Sequence, residues 1–592
     1  MTGLTYIFPI ATILLIALFF LGCPKLRTAE LEPHGDKRMT KRDILVVCTI
    51  SLLYALVAFT GLGDKEAPES FAHFDAGQWE QIELGEEKTI SAIRYYPGLN
   101  TGTYSLEYSA DGESWYYLGD IEQDYTSLFK WKTAEISSFD ARYIRISADR
   151  ELYLGALVLY DGEGEVIPQS EISCDESIAP LFDEQEIIPA EASYLNSTYF
   201  DEIYHARTAF ENIEGIYPYE VSHPPLGKLI IAIGISLFGM TPFGWRFSGT
   251  LFGVLMLPVM YVLLKRMFRR TEIAACGTAI FAFDFMHFTQ TRIATIDTYA
   301  VFFILLMYLF MYLYVSEGDK KHLALSGLSF GLGAASKWTC LYAGAGLGLI
   351  WLISWIIRMR NGEERVWKKF LKNCLFCVVF FVALPCLIYY VSYFPYGQAK
   401  GMHGIGMFFS SDYASTVADN QRFMFTYHSG VHSEHPYSSR WYQWVLNERP
   451  ILYYLNYFDD GTRSSFGAFL NPVLCWAGLG AMLIMVYLAA FRRDKKAGFI
   501  VVGYLAQLLP WVFITRTTFE YHYFPSAVFL SLAIAYIFSL MRESCGKWKN
   551  YVYGLTAMSV VLFIVFYPAI SGMRVNNALA SGLLKWLPSW PF

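Results

Sequence analysis

Ionisable side chains in this chain gather in a few short segments that border long apolar runs. Tyr199-Phe-Asp-Glu-Ile-Tyr-His205 is followed closely by His223-Pro-Pro-Leu-Gly-Lys228. Much further on stand His435-Pro-Tyr-Ser-Ser-Arg-Trp441 and Thr515-Arg-Thr-Thr-Phe-Glu-Tyr-His-Tyr-Phe524. A carboxylate can take the proton of an attacking hydroxyl, and fixed cations can hold a leaving group that gains negative charge. Guanidinium suits phosphate because it stays charged and donates two parallel hydrogen bonds. Asp201 and Glu202 supply the acidic pair, Arg292 and Arg516 the guanidinium groups, and His223, His435 and His522 the imidazoles.

Each residue also has a plainer reading. Asp201 is a favoured N-cap for a helix starting at Glu202. Arginines near helix ends snorkel to the interface, and Trp441 and Tyr521 suit interfacial anchors. His428, His432 and His435 stand at i, i+4 and i+7, a spacing that invites a divalent metal on one helical face. Gly430 and Pro436 argue against a regular helix there, so no metal is assigned.

These segments need elements to hold them. The chain has 592 residues, 54% of them hydrophobic and 17% charged, which excludes an ordinary soluble domain. Apolar runs long enough to span a hydrocarbon core recur near 4–22, 43–62, 244–264, 273–289, 297–315, 323–337, 341–357, 372–393, 470–490, 498–514, 525–541 and 551–570. The first is read as a retained helix, since no small-residue cleavage site follows it. Basic clusters at Lys25–Arg42, Lys265–Arg270, Lys320–Lys321, Arg358–Lys372, Arg492–Lys496 and Arg542–Lys549 mark the cytoplasmic loops. Both termini and all the motif segments then lie on the outer side. Most of the ten cysteines fall in apolar runs, which argues against a disulfide framework. The net charge of −7 is segregated along the chain and points to no nucleic-acid partner.

Two polar segments face outward. Within the first, residues 72–160 alternate apolar and polar side chains between turn signals such as Ala110-Asp-Gly112, the pattern of a small antiparallel sandwich. Trp115, Tyr116 and Tyr117 have two readings, exposed rings that stack on sugar or, as is more common in small sandwiches, part of the core. An acidic, flexible connector over about 162–193 leads back to the membrane. The second segment, about 395–468, carries Tyr427-His-Ser-Gly-Val-His-Ser-Glu-His-Pro-Tyr437, and a loop this long is usually functional. Residues 226–240 form an interfacial helix in this reading.

At this point the chain resembles a known family. Phe200-Asp-Glu, His223-Pro-Pro-Leu-Gly-Lys228, Trp245-Arg-Phe, Thr291-Arg-Ile-Ala-Thr-Ile-Asp297, Ala335-Ser-Lys-Trp338, the His435-Pro-Tyr-Ser-Ser block with Trp444, and Arg516-Thr-Thr-Phe-Glu-Tyr-His-Tyr-Phe-Pro525 follow the order of bacterial protein O-mannosyltransferases. The C-terminal Leu587-Pro-Ser-Trp-Pro-Phe592 fits that branch, and residues 72–160 resemble discoidin-like (F5/8 type C) sandwiches. The resemblance implies a polytopic α-helical GT-C fold with about 12 membrane helices and an inserted extracytoplasmic β-sandwich. Its divisions are 1–63, two N-terminal helices; 64–165, the sandwich; and 166–592, the catalytic membrane domain with external loops 194–243 and 395–468. An extra N-terminal helix and the position of the sandwich depart from the common family pattern.

The implied activity is transfer of mannose, with inversion, from a polyprenyl-phosphate donor to Ser or Thr hydroxyls of exported proteins. Asp201 and Glu202 are the implied catalytic acids. Arg292, Arg516, His522 and Lys228 are the implied phosphate ligands, and His223, Asp297, Lys337, His435, Tyr437 and Trp441 the implied substrate ligands. The partners are the lipid-linked sugar, the acceptor protein and the bilayer, with a homodimer left open. An alternative keeps the architecture and transfers another lipid-linked sugar to a glycolipid or cell-wall polymer. A transporter is disfavoured, because no internal repeat is visible and the polar motifs sit at helix ends.

Overall fold

The computed structural model describes residues 4–28, 35–430, 434–544 and 549–592. In chain order its helices begin with α1 (Leu4–Gly22), α2 (Pro24–Arg27) and α3 (Lys41–Phe59). After the strands come α4 (Glu202–Ile213), α5 (Leu226–Phe238), α6 (Pro242–Phe268), α7 (Thr271–Ala282), α8 (Phe285–Thr291), α9 (Asp297–Glu317), α10 (Lys320–Ser336) and α11 (Thr339–Arg360). Then follow α12 (Val366–Val378), α13 (Leu384–Val391), α14 (Phe394–Gln398), α15 (Ser411–Gly430), α16 (Trp441–Trp444), α17 (Gly478–Phe491), α18 (Lys495–Leu508), α19 (Pro510–Phe513), α20 (Phe524–Ser544) and α21 (Lys549–Ser571). Among the described residues, nine helical stretches are long and apolar enough to cross a membrane, and Tyr6–Gly22 and Thr271–Ala282 are shorter apolar helices. This is a multi-pass membrane protein.

Short polar signals set the helix ends. Thr40 and Asp43 form a reciprocal capping box at the start of α3. At the end of α9, Gly318 adopts φ +79°, and Asp319 then caps α10 by accepting from the Lys321 N–H. Only glycine enters that left-handed turn without strain. Asp494 caps α18 in the same way. At the same helix ends, Asp43 accepts from Tyr261 and pairs with Lys265 at 3.0 Å, which ties α3 to α6.

Several expected spans are interrupted. The run near 273–289 breaks at Phe283-Asp284 into α7 and α8, where Asp284 caps α8 through the His287 N–H. Lys337-Trp338 separates α10 from α11. The stretch from α12 to α14 is continuous over Val366–Gln398, with a π-helical segment at Val379–Ala383 just before Pro385. A proline removes one helical donor, and a wider turn absorbs the loss.

The chain divides into two compact units: Met1–Thr60, Gly215–Ile230 and Ser248–Phe592 form the helical one, and Gly61–Glu214 with Ile231–Phe247 form the other. In the second, β1 (Ala72–Phe74), β2 (Trp79–Pro97), β3 (Gly102–Ser109), β4 (Tyr116–Gln123), β5 (Lys132–Thr133), β6 (Phe139–Ala148), β7 (Leu152–Asp161) and β8 (Ile172–Cys174) pair antiparallel in the order β1-β7-β2-β6-β3-β4. β2 is the hinge of the two layers. Its first half pairs with β6 and β8, and its second half pairs with β7 and β5. Ile82, Leu84, Ile93, Leu106, Ile144 and Leu157 fill the space between the layers.

Two expectations are corrected here. The acidic connector is not loose, because β8 joins the sheet and Ile178, Leu181 and Phe182 are buried in the sandwich core. Tyr116 and Tyr117 are exposed rather than core, and Trp115 lies over the Arg145 guanidinium, with Trp79 also against it. Aromatic content alone does not tell which face of a strand is wet. The described cysteines are all free. If residues 176–182 belong to the sandwich, Phe182→Ala costs about 3–5 kcal/mol. Hydrogen exchange should then speed up across β2, β6 and β7; unchanged exchange would return the segment to a connector.

Candidate active site

In the helical unit the two late motifs are joined by backbone. The Ser439 N–H donates to the Thr518 carbonyl at 2.8 Å, and the Thr518 hydroxyl donates back to the Ser439 carbonyl at 2.6 Å. Arg440 Nη1 adds a 3.0 Å bond to the Thr515 carbonyl, and Trp444 Nε1 donates to Ser439 Oγ at 2.9 Å. Two segments nearly 80 residues apart thus become one surface. Its interior is aromatic: His522 stacks against Tyr521 at 4.4 Å and lies 4.3 Å from Trp511 and 6.0 Å from Trp444. His435 meets Phe519 edge-on at 4.9 Å, and its Nδ1 accepts from the Tyr437 N–H at 3.2 Å. That bond leaves the proton of neutral His435 on Nε2. Tyr437 and Trp441 are half-buried against the apolar core.

Arg516 stands at the edge of this surface, half-buried, with its guanidinium 6.0 Å from the Trp511 ring. Its charge bears on His428 and His522. It makes no ion pair among the described residues. Lys337 sits at the break between α10 and α11 and bonds both oxygens of Asp297, at 2.7 and 2.8 Å. Its ammonium lies 5.6 Å over the Tyr521 ring, so this motif faces the Arg516–Phe524 segment.

Beyond Lys337 a chain of hydrogen bonds runs outward. Trp338 donates to Tyr389, Tyr389 to Gln421, Gln421 to Tyr393, Tyr393 to Asn420, and Asn420 to the Val221 carbonyl, at 2.7–3.0 Å. It ends on the segment before His223. There Glu220 is the organising group: Oε1 accepts from the Ser222 N–H and hydroxyl and from His223 Nδ1, the last at 3.1 Å. Oε2 pairs with Lys228 at 2.7 Å. His428 Nε2 donates to the Ser222 carbonyl at 2.7 Å, and its ring lies 5.0 Å from that of His223. A Cβ on Gly227 would meet the Ile296 side chain at 2.7 Å, so glycine permits α5 to approach the Thr291–Asp297 segment.

Asp201 and Glu202 lie in the second unit. Phe200 holds φ +48° immediately before them, a left-handed conformation that costs a bulky residue energy. Asp201 occupies the N-cap position of α4, yet its carboxylate makes no capping bond. Glu202 is fully buried, and Arg246 clamps both of its oxygens at 2.8 Å. Arg246 also donates to the Leu62 and Ser197 carbonyls.

Two family descriptions cover most of the helical unit. "Dolichyl-phosphate-mannose-protein mannosyltransferase" matches residues 239–396, and "C-terminal four TMM region of protein-O-mannosyltransferase" matches residues 414–590. The chain belongs to the protein O-mannosyltransferase family. The F5/8 type C domain description matches residues 64–156 of the sandwich. The chain is 25% identical to a Mycobacterium tuberculosis polyprenol-phosphate-mannose–protein mannosyltransferase, over 69% of this chain and 86% of that protein. It is 26% identical to the Mycolicibacterium smegmatis protein of the same name, over 62% and 82%. The Saccharomyces cerevisiae Pmt1-Pmt2 complex bound to the sugar donor superposes with TM-score 0.58 at 14% identity, covering 67% of this chain and 89% of that one. The fold of the helical part is therefore the GT-C fold of this family.

Within that frame, several expected roles change. Lys228 is fully buried, and its ammonium bonds the Glu220 carboxylate and carbonyl and the His223 carbonyl, which is the setting of a structural ion pair. Arg292 donates through Nε to Ala58 and through Nη2 to Thr60, closing the exposed carbonyls at the end of α3. Asp297 and Lys337 are each other's partners. His432 lies outside the described residues, and no group of three metal-ligating side chains occurs among those described.

Motif reading passed over Glu220, and it quoted Arg246 within Trp245-Arg-Phe without giving it a role. A charge a few residues inside an apolar span is a signal for a buried partner, and Arg246 in α6 gave it. Glu220 follows Tyr-Pro-Tyr and carries no comparable signal.

Burial holds His428 well below the usual imidazole range, to about 4, and the charges of His223, Arg516 and Lys337 act the same way. Burial also lowers His223, with Glu220 opposing, and lowers His435. These imidazoles are neutral in the folded protein at pH 7. Between about pH 6.5 and 4 the unfolded chain binds protons that the folded one does not. Stability therefore falls as pH drops through that window, and the loss levels off below it. Thermal midpoints across pH should show this, and His428→Gln should flatten the slope; an unchanged slope would place the titrating group elsewhere. Glu220→Gln strands the buried Lys228 charge and costs about 3–5 kcal/mol, whereas the apolar pair Glu220→Leu with Lys228→Met recovers much of the loss. Midpoints of the three proteins check the pairing.

Proposed function

We propose that this chain transfers mannose from a polyprenyl-phosphate-mannose donor to Ser or Thr hydroxyls of exported proteins, on the extracytoplasmic side. The relatives of known name support the donor and the acceptor class. One observation carries the reading of the site: Arg516 is a half-buried cation among neutral imidazoles and aromatic rings, and no described acid pairs with it. Lys228, Lys337 and Lys265 all have carboxylate partners in the same unit. An unmatched guanidinium in a partly dehydrated setting fits an incoming phosphate.

In the proposed step the acceptor hydroxyl oxygen bonds to the anomeric carbon while the bond from that carbon to the phosphate oxygen breaks. The hydroxyl proton passes to Asp201, and polyprenyl phosphate departs with its added charge held by Arg516. Nε2–H of His435 and the ring of His522 supply further polar contacts to the donor. Glu202 leaves the catalytic pair in this assignment: both of its oxygens serve Arg246, so it positions the start of α4. Arg292 serves as a clasp on α3. The sandwich recruits or orients the acceptor and takes no part in bond making. The outer orientation rests on the basic clusters on the other side.

Incubating membranes with labelled polyprenyl-phosphate-mannose and a Ser/Thr-rich peptide tests the activity. Label on peptide hydroxyls supports it, and label on a glycolipid or wall polymer supports the alternative acceptor. Asp201→Asn keeps the shape and removes the basicity, so turnover falls by about 10²–10⁴-fold with folded protein retained; wild-type turnover would sink the assignment. Arg516→Lys keeps one charge and loses the fork, so transfer drops well below wild type, and Arg516→Gln drops it further. Equal activity of all three would move the phosphate site.

A further inference from the structure

A cavity of about 620 Å³ opens in the helical unit at the far end of α20 from the motif residues. Its walls come from α1, α17, α20 and α21, through side chains such as Leu15, Phe19, Ile484, Phe538 and Met558. α20 starts at Phe524 beside His522, whereas the cavity begins at Ile534, ~15 Å further along at the helical rise. Its volume is that of a ligand site. Apart from Asn550 and Tyr551 the lining offers water no partners, so water does not fill it favourably.

The rim is cationic. Leu26 lines the cavity between the exposed Lys25 and Arg27 on α2. Arg492 Nη1 donates to the Arg27 carbonyl at 3.2 Å, which brings a second basic segment to the same place. Met541, also in the lining, precedes Arg542. Two of the basic clusters legible in the sequence therefore meet at one end of an apolar groove, with Arg542 of a third next to its lining and paired with Glu272.

We propose that this groove binds one anionic glycerophospholipid, with an acyl chain between α1 and α21 and the phosphate at Lys25, Arg27 and Arg492. Apolar burial along the chain and attraction at the headgroup act together, and neither alone selects this lipid. The polyprenyl donor is a poor occupant, because its phosphate belongs with Arg516 at the opposite end of α20. In the orientation proposed above, the lipid comes from the cytoplasmic leaflet. The bound chain would fill the space beside the N-terminal helix and hold it against α17 and α21.

Gly554 gives a clean test. It lines the groove, and a Cβ built there meets nothing within 4 Å, so a larger side chain enters the cavity without collision. Gly498 on α18 is equally open but lies outside the lining and serves as the control. The full chain, purified in detergent, is incubated with phosphatidylglycerol or with phosphatidylcholine of the same acyl chains, and adducts are read by native mass spectrometry. The expected result is a single phosphatidylglycerol adduct in wild type and Gly498→Phe, its loss in Gly554→Phe, and its weakening in Lys25→Gln with Arg27→Gln. Equal retention of phosphatidylcholine would overturn the charge selection. An adduct that survives Gly554→Phe would overturn the groove, and should that variant fail to fold, an adduct unaffected by the rim substitutions overturns the site.

Discussion

Lys228 has no exposed surface, and its ammonium is surrounded by the Glu220 carboxylate and two carbonyls. The same constraint recurs through the protein. Lys337 with Asp297, Lys265 with Asp43 and, in the second unit, Arg246 with Glu202 are all buried or nearly so. A charge in such surroundings costs several kcal/mol unless it is paired and hydrogen-bonded. Glu220 and Lys228 stand close in sequence, but the other three pairs join elements distant along the chain, so local conformation alone forms none of those three. Breaking one leaves an uncompensated charge in a place water cannot reach. The pairs therefore specify which helix ends meet.

Against that background the site is defined by contrast. Once the paired cations are accounted for, Arg516 is a half-buried guanidinium with no acid partner among the described residues, and in the proposed function a substrate phosphate balances its charge. The aromatic rings about His522 limit water around it, which strengthens any contact to an anion. The neutral imidazoles matter too. A protonated His428 or His223 beside Lys337 and Arg516 would add repulsion in a confined space, and burial prevents it. Neutral His428 and His223 spend their single donors on the Ser222 carbonyl and on Glu220, whereas neutral His435 keeps its Nε2–H, which suits a sugar or phosphate oxygen without fixing a second permanent charge.

Much of this was legible from residue order. Most of the apolar runs, the alternating strands and the late motifs appear in the structure as elements or as neighbours, although nine described helical stretches, not twelve, are long and apolar enough to cross a membrane, and the run near 273–289 is broken in two. Periodicity and composition act locally, which is why they can be read. Division of labour within a motif is not local. Lys228 and Arg292 look like phosphate ligands because of their type and place, and only three-dimensional accounting of carbonyls and carboxylates shows them occupied. The acidic pair divides for the same reason, with Glu202 held by an arginine 44 residues away. The connector of the sandwich misled because its charges hide Ile178, Leu181 and Phe182, three apolar residues that suffice to dock it.

The side chains of the proposed site share one further property: they stand where helices stop. Lys337 lies between α10 and α11, Asp297 begins α9, and Arg516 and His522 occupy the non-helical and tightly wound turns between α19 and α20. An uninterrupted apolar helix satisfies all its backbone groups internally and has no polar group to offer. A break exposes carbonyls and N–H groups that must find partners, so it draws polar side chains and orients them at once. The Ser439–Thr518 bonds show the result, since two broken segments satisfy each other and fix Arg516 and His522 in doing so. In a protein whose bulk is apolar helix, the breaks that backbone hydrogen bonding must repair are also where chemistry can be held in place.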